Sequence, residues 1–415
     1  MAVATGLKRQ LGLGDAVVVG VGSMVGAGVF AAWAPAAEAA GTALLIGLVV
    51  AAVVAFCNAT SSAQLAAIHP ESGGTYVYAR RQLTPLWGFV AGWGFVVGKT
   101  ASCAAIALTV GAYLWPEQAR PVAIAAVVLI AAVNLGGLTR TVAITRVLLT
   151  IALVTLAAVV ISGWSSSHAD VGRIVPFDAG VGGVLESAGF LFFAFAGYAR
   201  IATLGEEVRD PSVTIPKAIP RALMTVLAIY AVVGVTVLAV VPVAGVAHST
   251  APLRLVVEAG RFDALAPLVR FGAGFAALGV LLNLIPGVSR SVLAIARQRE
   301  FPEFFAHIDR NRALPLRAEM CVTLVVVLLV ATLDLRGAIG FSSVTVLTYY
   351  AITNASALTL RGEQRRWPRP IAVVGLVGCV TLAVMLPRAS VIGGAIVLIV
   401  GVLFRALMLA FANDR

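Results

Sequence analysis

The chain has 415 residues, 60% of them hydrophobic and 12% charged, with a mean hydropathy of +0.99. Soluble domains carry about 25% charged residues. No water-soluble fold hides this much apolar surface, so the chain reads as an integral membrane protein. Its net charge of +11 is a matter of topology, not of a nucleic-acid patch, as the distribution along the chain shows.

Spanning a bilayer takes about 20 apolar residues. Twelve stretches qualify, at 14–37, 42–67, 86–114, 121–137, 144–163, 183–205, 218–242, 263–297, 319–333, 338–360, 370–387 and 391–411. They are too long and too little alternating for barrel strands. The eighth is longer than a bilayer needs and the ninth is short. Lys8 and Arg9 precede the first, but its apolar run exceeds a signal core, so no cleaved signal is expected. With the N-terminus in the cytoplasm, 21 of the 30 Lys and Arg fall on that side and 7 on the other. This is the positive-inside asymmetry. It predicts a multi-pass protein of the cell membrane with both termini cytoplasmic, and basic loops that meet lipid headgroups. Cys57, Cys103, Cys321 and Cys379 all fall in apolar spans and read as small buried hydrophobes, not disulfides. The four histidines are scattered over loops without ligand spacing, so no metal or cofactor is expected.

The first span contains "GVGSMVGAGVF", Gly20 to Phe30. Glycine weakens a helix by roughly 1 kcal/mol relative to alanine. A dinucleotide loop does not fit: the spacing is wrong and no strand precedes it. Two readings remain. Gly22 and Gly26 could let a second helix approach closely. Alternatively the helix is interrupted, and its released N–H and C=O groups line an enclosed site.

Span three carries Lys99 among apolar residues, in "WGFVVGKTASCAAIALT". A lysine at membrane depth costs ~3 kcal/mol on insertion scales. It either snorkels to the cytoplasmic interface or is a buried amine that exchanges a proton or replaces a coupling cation. Span six carries Gly197, then Tyr198 and Arg200. An arginine there faces a cavity or a partner: it favours substrates with an extra negative group, or it pairs with Glu186, Glu206 or Glu207 and holds the helix. Spans one and six, five apart, thus both carry an interruption. Secondary transporters with inverted repeats are built this way. One repeat would be 14–163, the second 183–360, and 370–411 an appendage.

After span six, "GEEVRDPSVTIPKAIPRAL" mixes charges with Pro211, Pro216 and Pro220, which are expected to stop helix six and start helix seven. Glu206 and Glu207 lack a catalytic pocket and read as a cytoplasmic gate or brace, with Arg80, Arg81, Arg290 and Arg297 as candidate partners. Asn283 lies shortly before the end of span eight. "YYAITNASAL" (349–358) in span ten either lines the site or packs helices.

At this point four segments, in order, resemble the amino acid–polyamine–organocation transporters. They are "GSMVGAGVF" (22–30), "HPESGGTYVYARRQLTP" (69–85), "FFAFAGYARIATLGEEVRDPSVTIPKAI" (192–219) and "SRSVLAIARQREFPEFFAHIDRNRALP" (289–315). The resemblance implies an all-α multi-pass membrane protein of the leucine-transporter type, with a five-plus-five inverted repeat, broken helices one and six, and two further helices. It also implies alternating access for an amino acid or a related amine. The residues matching the family's carboxylate-binding backbone N–H groups are Ala27 and Gly28. Ser23 could add a hydroxyl, and glycine at 26 and 28 lets the substrate sit against bare backbone. The family's ammonium acceptors, carbonyls freed at the helix-six break near Gly197, match Phe193 and Ala196. Phe193 also matches an aromatic that covers the substrate, although a lipid-facing or core phenylalanine reads the same way. Tyr198 gates or hydrogen-bonds. Many relatives carry glutamate where this chain has Ala199, which leaves recognition of a cationic side chain open. Some relatives use a lysine of helix five in place of sodium. Span five here has none, so Lys99 would do that work from helix three.

The function expected is a secondary transporter, a proton symporter or an exchanger, with a small-molecule substrate. A non-transporting sensor on the same fold and an exchanger for polyamines or organocations stay open. An enzyme is not expected, because no His, Asp or Glu lies deep in a span apart from Glu186 near an entrance. Nor does anything repeat in the manner of a channel filter.

Overall fold

The computed structural model describes residues 11–69, 73–135, 142–175, 179–198, 201, 208–309 and 314–413. Among these, all regular structure is helical, with two isolated β-bridges. Lipid dictates this, because a helix satisfies its backbone within one segment. The first span holds α1 (Leu13–Met24), α2 (Ala27–Ala31) and α3 (Trp33–Ala40). Then follow α4 (Leu44–Ile68), the short connecting helix α5 (Thr75–Gln82), α6 (Pro85–Leu114), α7 (Ala119–Leu135) and α8 (Val142–Trp164). The second half has α9 (Val181–Phe195), ending in a 3-10 turn at Ala196–Tyr198, and α10 (Pro211–Val240). Two short helices, α11 (Val243–Ala247) and α12 (Pro252–Glu258), lead to α13 (Ala266–Arg297), α14 (Leu316–Thr332), α15 (Leu335–Leu358), α16 (Arg369–Met385) and α17 (Arg388–Asn413). Among the described residues, nine stretches are long and apolar enough to cross a membrane by length and composition alone. The other three predicted spans are α14 and α16, each 17 residues long, and α15, which is rich in Ser, Thr and Tyr.

The molecule is an all-α multi-pass membrane bundle centred on α6. In α6, 89% of the apolar window is buried, against 11% in α17 at the periphery. α6 packs against α13 and α15, α1 against α8 and α10, and α4 against α9, α10 and α16. The long packed seams depend on small residues. A Cβ on Gly375 of α16, for example, would fall 2.5 Å from the Asn354 side chain of α15.

Local sequence explains the ends and irregularities. Pro85 opens α6 behind Thr84, whose hydroxyl accepts from the Trp87 N–H at 3.4 Å. The proline cluster after span six behaves differently from the expectation. Pro211 opens α10, but Pro216 and Pro220 lie inside it, so the helix starts seven residues before the expected 218. A proline withholds one N–H from the carbonyl four residues back. For Pro216 that carbonyl is Ser212, and the Arg366 guanidinium donates to it instead. A second correction concerns the cysteines: Cys57, Cys103 and Cys379 are buried, but Cys321 is exposed. In α14 the buried stripe is Ala318, Val322, Val326 and Val330, joined, against the expectation that Glu186 is the one acid in a span, by Glu319 at 1% exposure. Residue 321 sits one position off that stripe. Apolarity identifies a membrane helix but not its inward face, because lipid is as apolar as the core.

Span ten packs helices. Asn354 of α15 donates to the Asn58 side chain of α4 at 2.6 Å and to Tyr350 O at 2.9 Å. It accepts from Ser61 at 2.7 Å, and Cys379 of α16 donates to Asn58 at 3.2 Å. Tyr349 and Thr353 reach the start of α5 through Thr75.

Candidate substrate site

The first helix is interrupted where the glycines stand. Val25 still donates to Val21 O at 2.7 Å, but Gly26 turns back to Met24 O at 2.9 Å and leaves helical geometry at φ −155°, ψ −140°. The helix resumes at Ala27. A second irregularity at Ala32 follows from Pro35, which has no N–H for the Ala31 carbonyl. In span six the α-helix tightens into the 3-10 turn at Ala196–Tyr198, centred on Gly197.

The two irregular segments touch. A Cβ on Gly197 would collide with the Ser23 carbonyl and lie 2.8 Å from Met24 N. A Cβ on Gly28 would lie 2.5 Å from Ala194 Cα. Gly26 faces the third element of the junction, α13, where a Cβ would collide with Val280. At Gly197 and Gly28 the obstacle is backbone and only hydrogen fits, whereas at Gly26 it is the tip of the Val280 side chain. Close packing and helix interruption, the alternatives left open by the sequence, therefore hold together.

Interrupting a helix orphans carbonyls, and buried carbonyls need donors. Tyr230 of α10 donates to Met24 O at 2.7 Å and Ala194 O at 3.0 Å. A phenol has one proton, so this hydroxyl divides itself between the two interrupted helices. Lys99 of α6 donates from Nζ to Ala196 O at 3.2 Å. Lys99 is 7% exposed and does not snorkel. Tyr113 of α6 donates to Phe30 O at 2.8 Å and accepts from Leu253 N at 3.3 Å. Aromatic rings close the surroundings: Phe195 lies 5.2 Å from Tyr230, and Tyr198 5.1 Å from Tyr350. Beside the break, Gly22, Val25, Leu149, Gly279, Val280 and Asn283 border a crevice between α1, α8 and α13. Its free volume of ≈ 10 Å³ holds about one water.

Of the predicted site residues, Gly197 meets Ser23 across the junction and Gly28 meets the sixth span at Ala194, with Gly26, Ala27, Ala196 and Tyr198 beside them in the chain. The Ser23 hydroxyl donates back to Val19 O at 2.7 Å. Phe193 is half-buried on α9. Lys99 joins the site through the very carbonyl assigned to the ammonium. Arg200, Glu206 and Glu207 lie outside the described residues. Arg290 is exposed in the last third of α13, as is Arg81 on α5.

For Arg80 the expected partners, Glu206 and Glu207, lie outside the described residues; among those described it has another. It pairs at 2.7 Å with Glu300, just beyond α13. The same carboxylate takes Arg405 of α17 at 2.7 Å and the Tyr76 hydroxyl at 2.7 Å. Burial first, and then this carboxylate, push the Tyr76 hydroxyl above its ordinary range. Glu186 pairs with Arg336 of α15 at 3.4 Å, and Arg336 also holds Glu38. Tyr230, Tyr113, Glu300, Arg405 and Arg336 are absent from the sequence-based set. One signal could have found the tyrosines: a phenol deep in an apolar span must reach an acceptor.

The amino acid permease family model matches residues 11–411. The chain belongs to the amino acid permease family. This permease is 58% identical over 397 residues to an uncharacterized transporter of Mycobacterium tuberculosis, covering 95% of this chain and 90% of that protein. It is 25% identical to the branched-chain amino acid permease BcaP of Bacillus subtilis, covering 89% and 84%. It is 27% identical to human cationic amino acid transporter 4, covering 88% of this chain and 61% of that protein. Family and relatives are transporters, not enzymes, so the permease is a multi-pass transporter of the amino acid–polyamine–organocation superfamily.

Proposed function

We propose that this permease moves an amino acid, or a closely related amine, across the cell membrane by alternating access, with both termini in the cytoplasm. The substrate carboxylate takes the Ala27 and Gly28 N–H groups at the restart of the first helix, and Ser23 lies within reach. The ammonium takes carbonyls of Phe193 and Ala196, so Lys99 must yield Ala196 when substrate arrives. That exchange of one ammonium for another makes Lys99 the candidate coupling group, by proton symport or by obligate exchange. Residues 14–163 and 183–360 act as the two repeats, moving against each other about the junction, and 370–411 stand outside them.

The observation that carries this reading is the contact of the two interruptions, with Gly197 against Ser23 and Met24. Amides and carbonyls of two helices then converge at one point, which is what a zwitterion stripped of water requires. The full chain in vesicles loaded with an unlabelled amino acid should take up the same labelled amino acid by counterflow. Gly28→Leu should insert in the membrane yet lose counterflow by at least about 100-fold, because the larger side chain meets Ala194 backbone. Wild-type counterflow in that variant would overturn the site. Its absence from wild-type vesicles for every amino acid would overturn transport. A proton gradient that drives accumulation without internal substrate would select symport over exchange.

A further inference from the structure

We infer that this permease accepts amino acids whose side chains are neutral or acidic and rejects those with a cationic side chain, and that Lys99 makes the distinction. The inference rests on the transport reading above and deepens it.

Lys99 lies in the most buried span and reaches the 3-10 turn of the sixth span through Ala196 O. Among the described residues no carboxylate lies within ion-pair distance of its ammonium. The acids that form ion pairs among the described residues sit elsewhere, on arginines: Asp15 with Arg146, Asp170 with Arg173, Glu258 with Arg254, Glu38 and Glu186 with Arg336, Glu300 with Arg80 and Arg405. Residue 199, next to the turn, is alanine and brings no charge. The substrate's own ammonium already adds one cation near Lys99. A lysine or arginine side chain adds another, stripped of water and facing a like charge in a medium where Coulomb forces are several times stronger than in water. A neutral side chain avoids that repulsion, and a carboxylate side chain turns it into attraction.

A purely structural Lys99, there only to satisfy Ala196, would change transport of every substrate alike. Selectivity separates the two roles. Vesicles carrying the full chain are loaded in turn with leucine, glutamate, arginine or lysine, and entry of the same labelled amino acid is followed. In wild type, leucine or glutamate should exchange at least about 10-fold faster than arginine or lysine. Lys99→Arg should keep that ratio, and Lys99→Met should bring it within about threefold. Arginine or lysine matching leucine in wild type overturns the inference even where no variant inserts, and so does an unchanged ratio in Lys99→Met. Exchange of none of the four amino acids in wild type strikes the transport reading itself, and the inference falls with it.

Discussion

Among the described residues, two clasps of three charged side chains stand on opposite faces of the bundle, and they are built inversely. On the face where α13 and α17 end, one carboxylate, Glu300, serves the two guanidinium groups of Arg80 and Arg405. On the opposite face, where α9 and α15 begin, one guanidinium, Arg336, serves Glu38 and Glu186. The chemistry is similar but the solvent is not. The Glu300 side chain is 3% exposed, whereas those of Arg336 and Glu38 are 33% and 45% exposed. Parting the first clasp strands the buried Glu300 carboxylate, although Arg80 and Arg405 are 26% and 14% exposed. At the second, hydration replaces most of what the pair supplied. The Glu300 clasp is therefore the costlier of the two to part.

The sharpest way to break this contrast is Glu300→Gln. It leaves Arg80 and Arg405 facing each other with their shared counter-charge gone and weakens the Tyr76 hydrogen bond. Removing one partner of a buried ion pair costs about 3–5 kcal/mol. The melting temperature of the purified permease should fall accordingly, and a thiol label placed near Gln82 should react faster. A loss below about 1 kcal/mol would place Glu300 in the same class as a surface pair.

Between the clasps lies the junction, where the next largest effect is expected. Tyr230→Phe removes the one proton shared by Met24 O and Ala194 O. Met24 O keeps the Gly26 N–H, so the loss falls on Ala194 O, and a buried carbonyl deprived of its donor costs about 1–3 kcal/mol. The change keeps the ring against Phe195, so packing is conserved. Counterflow should slow more than the melting temperature suggests, because the same hydroxyl holds both helices in register. Equal counterflow in Tyr230→Phe and wild type would make the hydroxyl a bystander.

How far the sequence spoke depends on the range of each interaction. The spans were legible because membrane burial is written in local composition: 86–114 was expected and Pro85–Leu114 is found. The interruptions were legible because Gly26 and Gly197 are poor helix formers where lipid demands helix. Even there, span 14–37, expected to break at the glycines, proves to be three pieces, since the effect of Pro35 on the turn before it adds to that of the glycines. The clasps were not legible. Arg80 and Glu300 are 220 positions apart in the chain numbering, and periodicity tells which face a charge occupies but not which distant charge meets it. Glu186 shows the limit: its partner among the described residues, Arg336 of α15, stands 150 positions away in the chain. Tyr230 gave a signal of its own, a polar tip in an apolar run. The identity of its acceptors follows only from where the two interruptions land.

The smallest effect belongs to Arg336→Gln, and its smallness is what the contrast between the faces requires. Arg336 sits in the first turn of α15, bridges Glu38 at the end of α3 and Glu186 near the start of α9, and lies over the Phe190 ring at 5.4 Å. Glutamine keeps part of the stem packing on Phe190 and loses the charge. Exposed pairs contribute about 0–1 kcal/mol and are screened by salt. The variant should therefore melt within about 1 kcal/mol of wild type. The remaining difference should shrink further between low salt and about 1 M salt, where the screening length falls to roughly 3 Å. The Glu300→Gln penalty should barely respond to the same salt, because ions do not reach a buried carboxylate. A large, salt-insensitive loss for Arg336→Gln would mean that this clasp is sealed as tightly as its counterpart, and the asymmetry between the faces would be gone.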